Sequence, residues 1–361
     1  MDKSVLELKR LLFCIAVIVL YVKFVVQMIL DEQSLLLDFA LYVALFFLLI
    51  QRKVTFPLVI ISLIACISVV NPVAKNLFLI FGLTYASRIY SMKRLLVMNI
   101  CIQLLVFILT CFMLWGGITH SDMFMQTEMD QRERWDFGYG NPNTFAMFIN
   151  SIIMNIYLYI YDKKYVNIVL VLFLVLVILP VYNYTQSRSY LLASFILIIV
   201  HFVLRWKCML RILLKMKYVL YIIPPVVLML IFMFAKNVGE YKLLNLILSG
   251  RLALYRTLVE GISLKEFFFG TSLVAQGETI DNAYLHMLLE GGILGFLVFY
   301  YLYYTTIKRI SIETLYILPV LLSFLAYGLT ESVFTAVLYV GNLIMWFLMY
   351  KISFRRDVIE C

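Results

Sequence analysis

The residues able to do chemistry in this chain are concentrated in two polar stretches. One runs from Ser249 to Leu285 and is the longest polar interval in the sequence. It opens on Ser-Gly-Arg, carries Arg251, Arg256 and Glu260, turns at Gly270 and Gly277, and closes on Asp281-Asn282. The other runs from Thr119 to Asn143 and ends in GNPN, with Arg132 and Arg134 set among acids and beside Trp135, Phe137 and Tyr139. A short third segment, Asn183 to Ser189, adds Arg188. Guanidinium groups bind phosphate oxygens in bidentate fashion. Aromatic rings beside arginine suit sugar faces and lipid headgroups alike.

Other chemistries lack their signatures. There is no GxxxxGK[ST], no DxD, no GxSxG and no HExxH. The six cysteines form no CxxC and none falls in the two polar stretches, so neither a disulfide framework nor a zinc site is indicated. The three histidines are scattered. No metal and no cofactor is expected.

The elements that must position these residues are membrane spans. Hydrophobic residues make up 64% of the chain and charged residues 14%, whereas a soluble domain is near half apolar and a quarter charged. A spanning helix needs about 20 apolar residues. Segments of that kind fall at about 11–30, 35–50, 54–70, 74–90, 95–115, 144–161, 165–182, 189–206, 218–235, 283–305, 314–330 and 332–350. Most of the 30 Lys and Arg residues occupy alternate connections, and basic connections stay cytoplasmic. The expected fold is therefore all-α and polytopic, with about twelve transmembrane helices and both termini cytoplasmic. Residues 1–361 form a single integral membrane domain, whose long outer loops, 116–143 and 236–282, make the active face. The first span is too long for a cleaved signal peptide. The net charge of +9 reflects membrane topology and does not indicate nucleic-acid binding.

Several residues have plain structural readings. Lys23 and Asp38 are expected to pair across neighbouring helices, and Arg256 with Glu260 along one. Asn143 and Asp281 are suited to cap the spans that follow them. Pro224-Pro225 should kink or break the ninth span. Leu252, Tyr255, Leu258, Val259 and Ile262 recur at helical spacing, as in an amphipathic helix lying at the membrane surface. Gly291 and Gly295 are spaced for close helix contact, and Glu290 is the one acid deep in a late span.

One geometric feature unites the polar clusters. Asn141 to Asn143, Arg188-Ser189 and Asp281-Asn282 each stand where an even-numbered span begins on the outer side. A helix beginning carries free N–H groups and the positive end of the dipole, and it binds anions readily. If the sixth, eighth and tenth spans converge, three such ends meet Arg132, Arg134, Arg188 and Arg251 in a site suited to pyrophosphate.

In its motif order the chain resembles the Wzy-type oligosaccharide repeat-unit polymerases, the larger group that includes the O-antigen ligases. The resemblance covers about residues 130 to 295. It rests on Arg134 through Gly138 to Asn141-Pro142-Asn143, on Ser187-Arg188-Ser189, and on Ser249-Gly250-Arg251 with Gly270 downstream. Its last piece is Asp281-Asn282-Ala283-Tyr284-Leu285 running into Glu290-Gly291-Gly292. The resemblance implies a GT-C-like membrane fold and a metal-independent, inverting glycosyltransferase of the bacterial inner membrane. The donor would be a saccharide chain on undecaprenyl pyrophosphate, and the product a capsule or O-antigen polysaccharide. Arg251, Arg188, Arg134, Arg132, Asn141, Asn143, Asn282 and Tyr284 are the expected binding residues. Asp281 stands where ligase-like members often carry His, so the base is Asp281, His286 or Glu278. Expected partners are the lipid-linked oligosaccharides, membrane lipids, and a flippase and chain-length regulator of the same pathway. The alternatives are a ligase that transfers a finished glycan and a flippase or other transporter of lipid-linked oligosaccharide.

Overall fold

A computed structural model of the chain describes residues 3–32, 34–50, 55–68, 72–125, 133–247, 250–271, 280–332, 334 and 340–354. The described chain is 80% helical. Its first half contains α1 (Lys3–Phe24), α2 (Leu35–Leu49), α3 (Phe56–Ser68), α4 (Pro72–Ala86) and α5 (Met92–Trp115). After α5 come two short strands, β1 (Met123–Met125) and β2 (Glu133–Trp135), and then α6 (Pro142–Ile160). The next apolar segment is α7 (Val166–Phe173) and α8 (Leu179–Thr185), joined by one π-helical stretch. It is followed by α9 (Arg188–Leu204), α10 (Lys207–Leu220) and α11 (Ile223–Lys236). The second polar stretch supplies α12 (Lys242–Ile247), α13 (Arg251–Glu260) and α14 (Leu264–Phe269). The chain closes with α15 (Ala283–Arg309), α16 (Leu318–Tyr327) and α17 (Leu343–Ser353).

Helix occupies, wholly or in part, each of the twelve apolar segments read from the sequence. Among the described residues, four helices are long and apolar enough to cross a membrane: Met92–Trp115, Pro142–Ile160, Val166–Thr185 and Ala283–Arg309. A fifth is added if α9 and α10, bent by 118°, count as one span. The other apolar helices are shorter. Large apolar side chains face outward along the bundle, among them Leu35, Leu36, Phe39 and Trp115. Such a surface fits hydrocarbon better than water.

Local sequence explains most of the breaks. The helix interrupted before Pro224-Pro225 restarts as α11 with proline in its first turn, where a missing N–H costs nothing. The ion pair expected between Lys23 and Asp38 joins α1 to α2, and Arg256 pairs with Glu260 on exposed α13. Leu252, Tyr255 and Leu258 form the buried stripe of that helix.

The tenth segment departs from a simple span. Its helix is broken at Gly292, which adopts φ +65°. A side chain there would meet the Phe268 carbonyl oxygen at 2.5 Å and the Gly270 nitrogen at 2.7 Å. The end of α14 therefore lies against the break, and the Thr271 N–H donates to the Leu289 carbonyl at 2.9 Å. Gly291 and Gly295 make the close contact expected of them, both against Leu77 of α4.

Candidate functional site

The site is assembled at the end of the bundle where α6, α9 and α15 begin. Its first wall is the loop after α5. Strands β1 and β2 pair antiparallel, with Phe124 opposite Arg134. Along β2 burial alternates, so Arg134 turns inward while Glu133 and Trp135 face out. The Arg134 Nε donates to the Thr185 carbonyl at 2.9 Å, and Nη2 donates to Asn143 Oδ1 at 2.5 Å. Thr185 ends α8, where carbonyls lack helical partners. One guanidinium thus ties the end of α8 to the first turn of α6.

The loop is anchored from below. Buried Asp136 accepts from the N–H groups of Asp122 and Gly138 at 2.9 and 3.1 Å. Phe137 and Tyr139, of a kind that suits sugar faces and headgroups alike, pack inward against Phe145 at 4.7 and 5.2 Å between ring centroids. Of the three loop aromatics, Trp135 remains exposed.

The second wall is the turn between α8 and α9. Gln186 takes a left-handed conformation that reverses the chain at once. Ser187 occupies the N-cap position of α9 without using its side chain as a cap. Its hydroxyl is buried and has no hydrogen-bond partner among the described residues. Arg188 projects outward from the first turn. Buried Ser189 donates from Oγ to Glu331 Oε1 at 3.3 Å.

The third wall joins α13, α15 and the turn after α16. Arg251 donates from Nη2 to Asp281 Oδ2 at 2.9 Å and from Nη1 to the Thr330 carbonyl at 3.1 Å. Asn282 caps α15 by accepting from the Leu285 N–H at 2.9 Å, and its Nδ2 donates to the Leu329 carbonyl at 2.8 Å. The Ala283 N–H donates to the Gly328 carbonyl at 2.8 Å. These bonds dock the start of α15 onto the end of α16 and enclose Glu331.

Glu331 is the residue that sequence reasoning missed. It is 8% exposed. Burial, and then the Asp281 charge, push its carboxyl from the ordinary 4.5 up to about 8, while Arg251, the Ser189 hydrogen bond and Arg134 pull the other way. Two carboxyl groups therefore share one site in different surroundings. Asp281 is half exposed and held by a guanidinium, whereas Glu331 is enclosed and its proton affinity is raised. A signal was present in the sequence, since Glu331 is the only acid in the tight gap between two apolar segments.

The other expected site residues fall as follows. Both cap assignments move. Asn141, not Asn143, caps α6 by accepting from the Asn143 N–H at 2.8 Å, and Asn282, not Asp281, caps α15. The displaced residues bind arginine instead, because the proline at 142 and the extended backbone of Asn282 set the start of α6 two residues before, and that of α15 one residue after, the place the polar pattern implied. Tyr284 is fully buried and donates to the Leu325 carbonyl at 3.0 Å, so it packs the helix pair and does not line the site. His286 lies one turn along α15, its Nε2 2.6 Å from buried Glu290 Oε2. Arg132, Glu278 and Ser249 lie outside the described residues. Among the described residues, no group of three or more His, Cys, Asp or Glu side chains is placed to hold a metal ion.

Fold and site together define the class: an all-helical protein with several helices apolar enough to cross a membrane, carrying arginines and carboxylates where three helices begin. No family model, no curated protein and no solved structure matches the chain.

Proposed function

We propose that the chain is a polytopic membrane glycosyltransferase with about twelve spans, a GT-C-like arrangement and cytoplasmic termini. It joins undecaprenyl-pyrophosphate-linked oligosaccharide repeat units into a capsule or O-antigen polysaccharide at the outer face of a bacterial cell membrane. The observation that carries the reading is the meeting of Arg134, Arg251, Asp281 and Glu331 where α6, α9 and α15 begin. The motif order described above supplies the chemistry.

In the proposed reaction an acceptor sugar hydroxyl attacks the anomeric carbon of the donor. The new C–O bond forms as the bond to pyrophosphate breaks, and the hydroxyl proton passes to a carboxylate. Negative charge grows on the leaving pyrophosphate. Exposed Arg188 and half-buried Arg251, beside three positive helix ends, are placed to meet that charge. Arg134 acts as a positioning residue, because its guanidinium is engaged with Thr185 and Asn143. Glu331 is the preferred proton acceptor. Asp281 is engaged by the Arg251 guanidinium. Asp281 then orients Arg251 and keeps the proton affinity of Glu331 high.

The test uses purified protein in lipid vesicles given undecaprenyl-pyrophosphate-linked repeat units in the presence of a chelator, with products resolved by size. A ladder at repeat-unit intervals is the expected result. A single transfer onto another acceptor would make the chain a ligase-like transferase. Intact repeat units with no new glycosidic bond would move the reading to a flippase or other transporter.

A further inference from the structure

At the opposite end of the bundle a second charged cavity stands apart from the site just described. It has a volume of about 430 Å³ and is lined by Leu6, Lys9 and Arg10 of α1, Leu48 of α2, Ala86 of α4, and Arg88 and Ile89 of the turn that follows α4. Three cations thus face one space, and among the described residues its lining holds no carboxylate. The other half of the lining is aliphatic.

Part of this charge has local work. Lys9 donates from Nζ to the Leu48 and Ile50 carbonyls, closing the end of α2. The Arg88 guanidinium lies 3.9 Å from the centre of the Tyr85 ring. The Arg10 guanidinium carbon lies 6.0 Å from the centre of the Tyr90 ring. The Arg10 Nε is buried and has no hydrogen-bond partner among the described residues. Burial, followed by the Arg88 charge, pushes the Lys9 ammonium below its ordinary value. Lys9 precedes the apolar stretch of α1, so this repulsion acts at the membrane boundary. Like charges held together at a cost, around a donor with no acceptor, call for an anion.

We propose that this cavity binds a phosphate group, and that its source is the headgroup of an anionic membrane phospholipid. The three cations meet the phosphodiester, and the aliphatic wall formed by Leu6, Leu48, Ala86 and Ile89 meets the start of the acyl chains. Its volume lies in the range of small-ligand sites, about 300–1,000 Å³. Its position fits a basic cluster beside the anionic leaflet. The proposal is independent of the glycosyl-transfer reading, since it uses none of the same residues.

The experiment is native mass spectrometry of the full chain released from nanodiscs of phosphatidylglycerol or of phosphatidylcholine, with inorganic phosphate as a competitor. Wild type is expected to retain phosphatidylglycerol over phosphatidylcholine. Arg10→Gln should lower that retention about fivefold, the effect of one basic charge near a membrane surface. Arg10→Lys should keep most of it. Arg211→Gln, an exposed change on α10, should leave it unchanged. Displacement of the lipid by inorganic phosphate would assign the site to free phosphate and still support the phosphate chemistry. Equal loss in Arg10→Gln and Arg211→Gln, or none in either, would overturn the proposal. If Arg10→Gln does not fold, Arg88→Gln serves in its place, and the wild-type preference between the two lipids still decides.

Discussion

Arg251 and Asp281, thirty positions apart in sequence, are joined at 2.9 Å by a guanidinium that also holds the Thr330 carbonyl. That one side chain connects the start of α13, the start of α15 and the turn after α16. It leaves Glu331 beneath the pair, in contact with Ser189 of α9.

Replacing Arg251 tests the centre of this arrangement. Arg251→Ala is expected to lower polymer formation about 10²–10³-fold, the usual cost of losing a donor aimed at developing charge, with protein levels maintained. Arg251→Lys keeps the charge but not the fork, and should recover only part. Combining Arg251→Ala with Asp281→Ala should cost less than the sum of the two single changes. Polymer length and yield on gels, normalised to membrane protein, provide the measurement.

Glu331 predicts opposite pH trends for stability and activity. Folded, its carboxyl holds a proton up to about 8; unfolded, it would ionise near 4.5. The folded state therefore binds the proton more tightly. The stability this contributes is complete below 4.5 and is lost as pH rises through 8. Glu331→Gln should consequently raise the unfolding temperature relative to wild type at pH 8.5 and change it little at pH 5. Activity should instead rise toward pH 8 in wild type. In Glu331→Gln it should fall about 10²–10⁴-fold and lose that rise. A pH profile unchanged by the substitution would remove Glu331 from the reaction.

Arg134 is expected to act through structure. Arg134→Ala removes the partner of both the Thr185 carbonyl and Asn143 Oδ1, at a cost of about 3 kcal/mol for lost charged hydrogen bonds. Arg134→Lys cannot span both acceptors in one plane and should restore little. Thermal unfolding of the purified variants should register this loss as clearly as the activity assay does.

Two neighbouring glycines should differ sharply. Gly292→Ala puts a methyl group within 2.5 Å of the Phe268 carbonyl oxygen at φ +65°, where non-glycine residues are strained. It should detach α14 from α15 and lower the folded yield severely. Gly291→Ala meets the end of the Leu77 side chain at 2.9 Å, which can turn aside, and the Met287 sulfur at an ordinary 3.5 Å. Size-exclusion profiles of the two variants would separate them.

Much of the architecture was legible because its signals are local. Apolar length marked where helix would form, and the proline pair marked a break. The spacing of Leu252, Tyr255 and Leu258 gave the buried face of α13, and the i,i+4 spacing of Arg256 and Glu260 gave their pair. The two cap assignments failed by one or two residues. A helix start depends on which residue takes extended backbone, and the flanking proline and the docking of the neighbouring turn decide that. The loop aromatics misled for a similar reason. Phe137 and Tyr139 look like a binding face until the loop folds back onto α6, where burying their rings is worth more than leaving them exposed.

By itself the sequence determined a helical, strongly apolar chain whose arginines and acids gather at helix beginnings. Composition and periodicity record that directly, since each depends on neighbours in the chain. Only the tertiary structure decided that α6, α9 and α15 begin side by side, and that Glu331 lies enclosed among their charges. Burial and charge proximity are properties of three-dimensional packing. No local pattern distinguishes an acid in an exposed turn from one whose proton affinity is set by residues up to 197 positions away, as Arg134 is from Glu331.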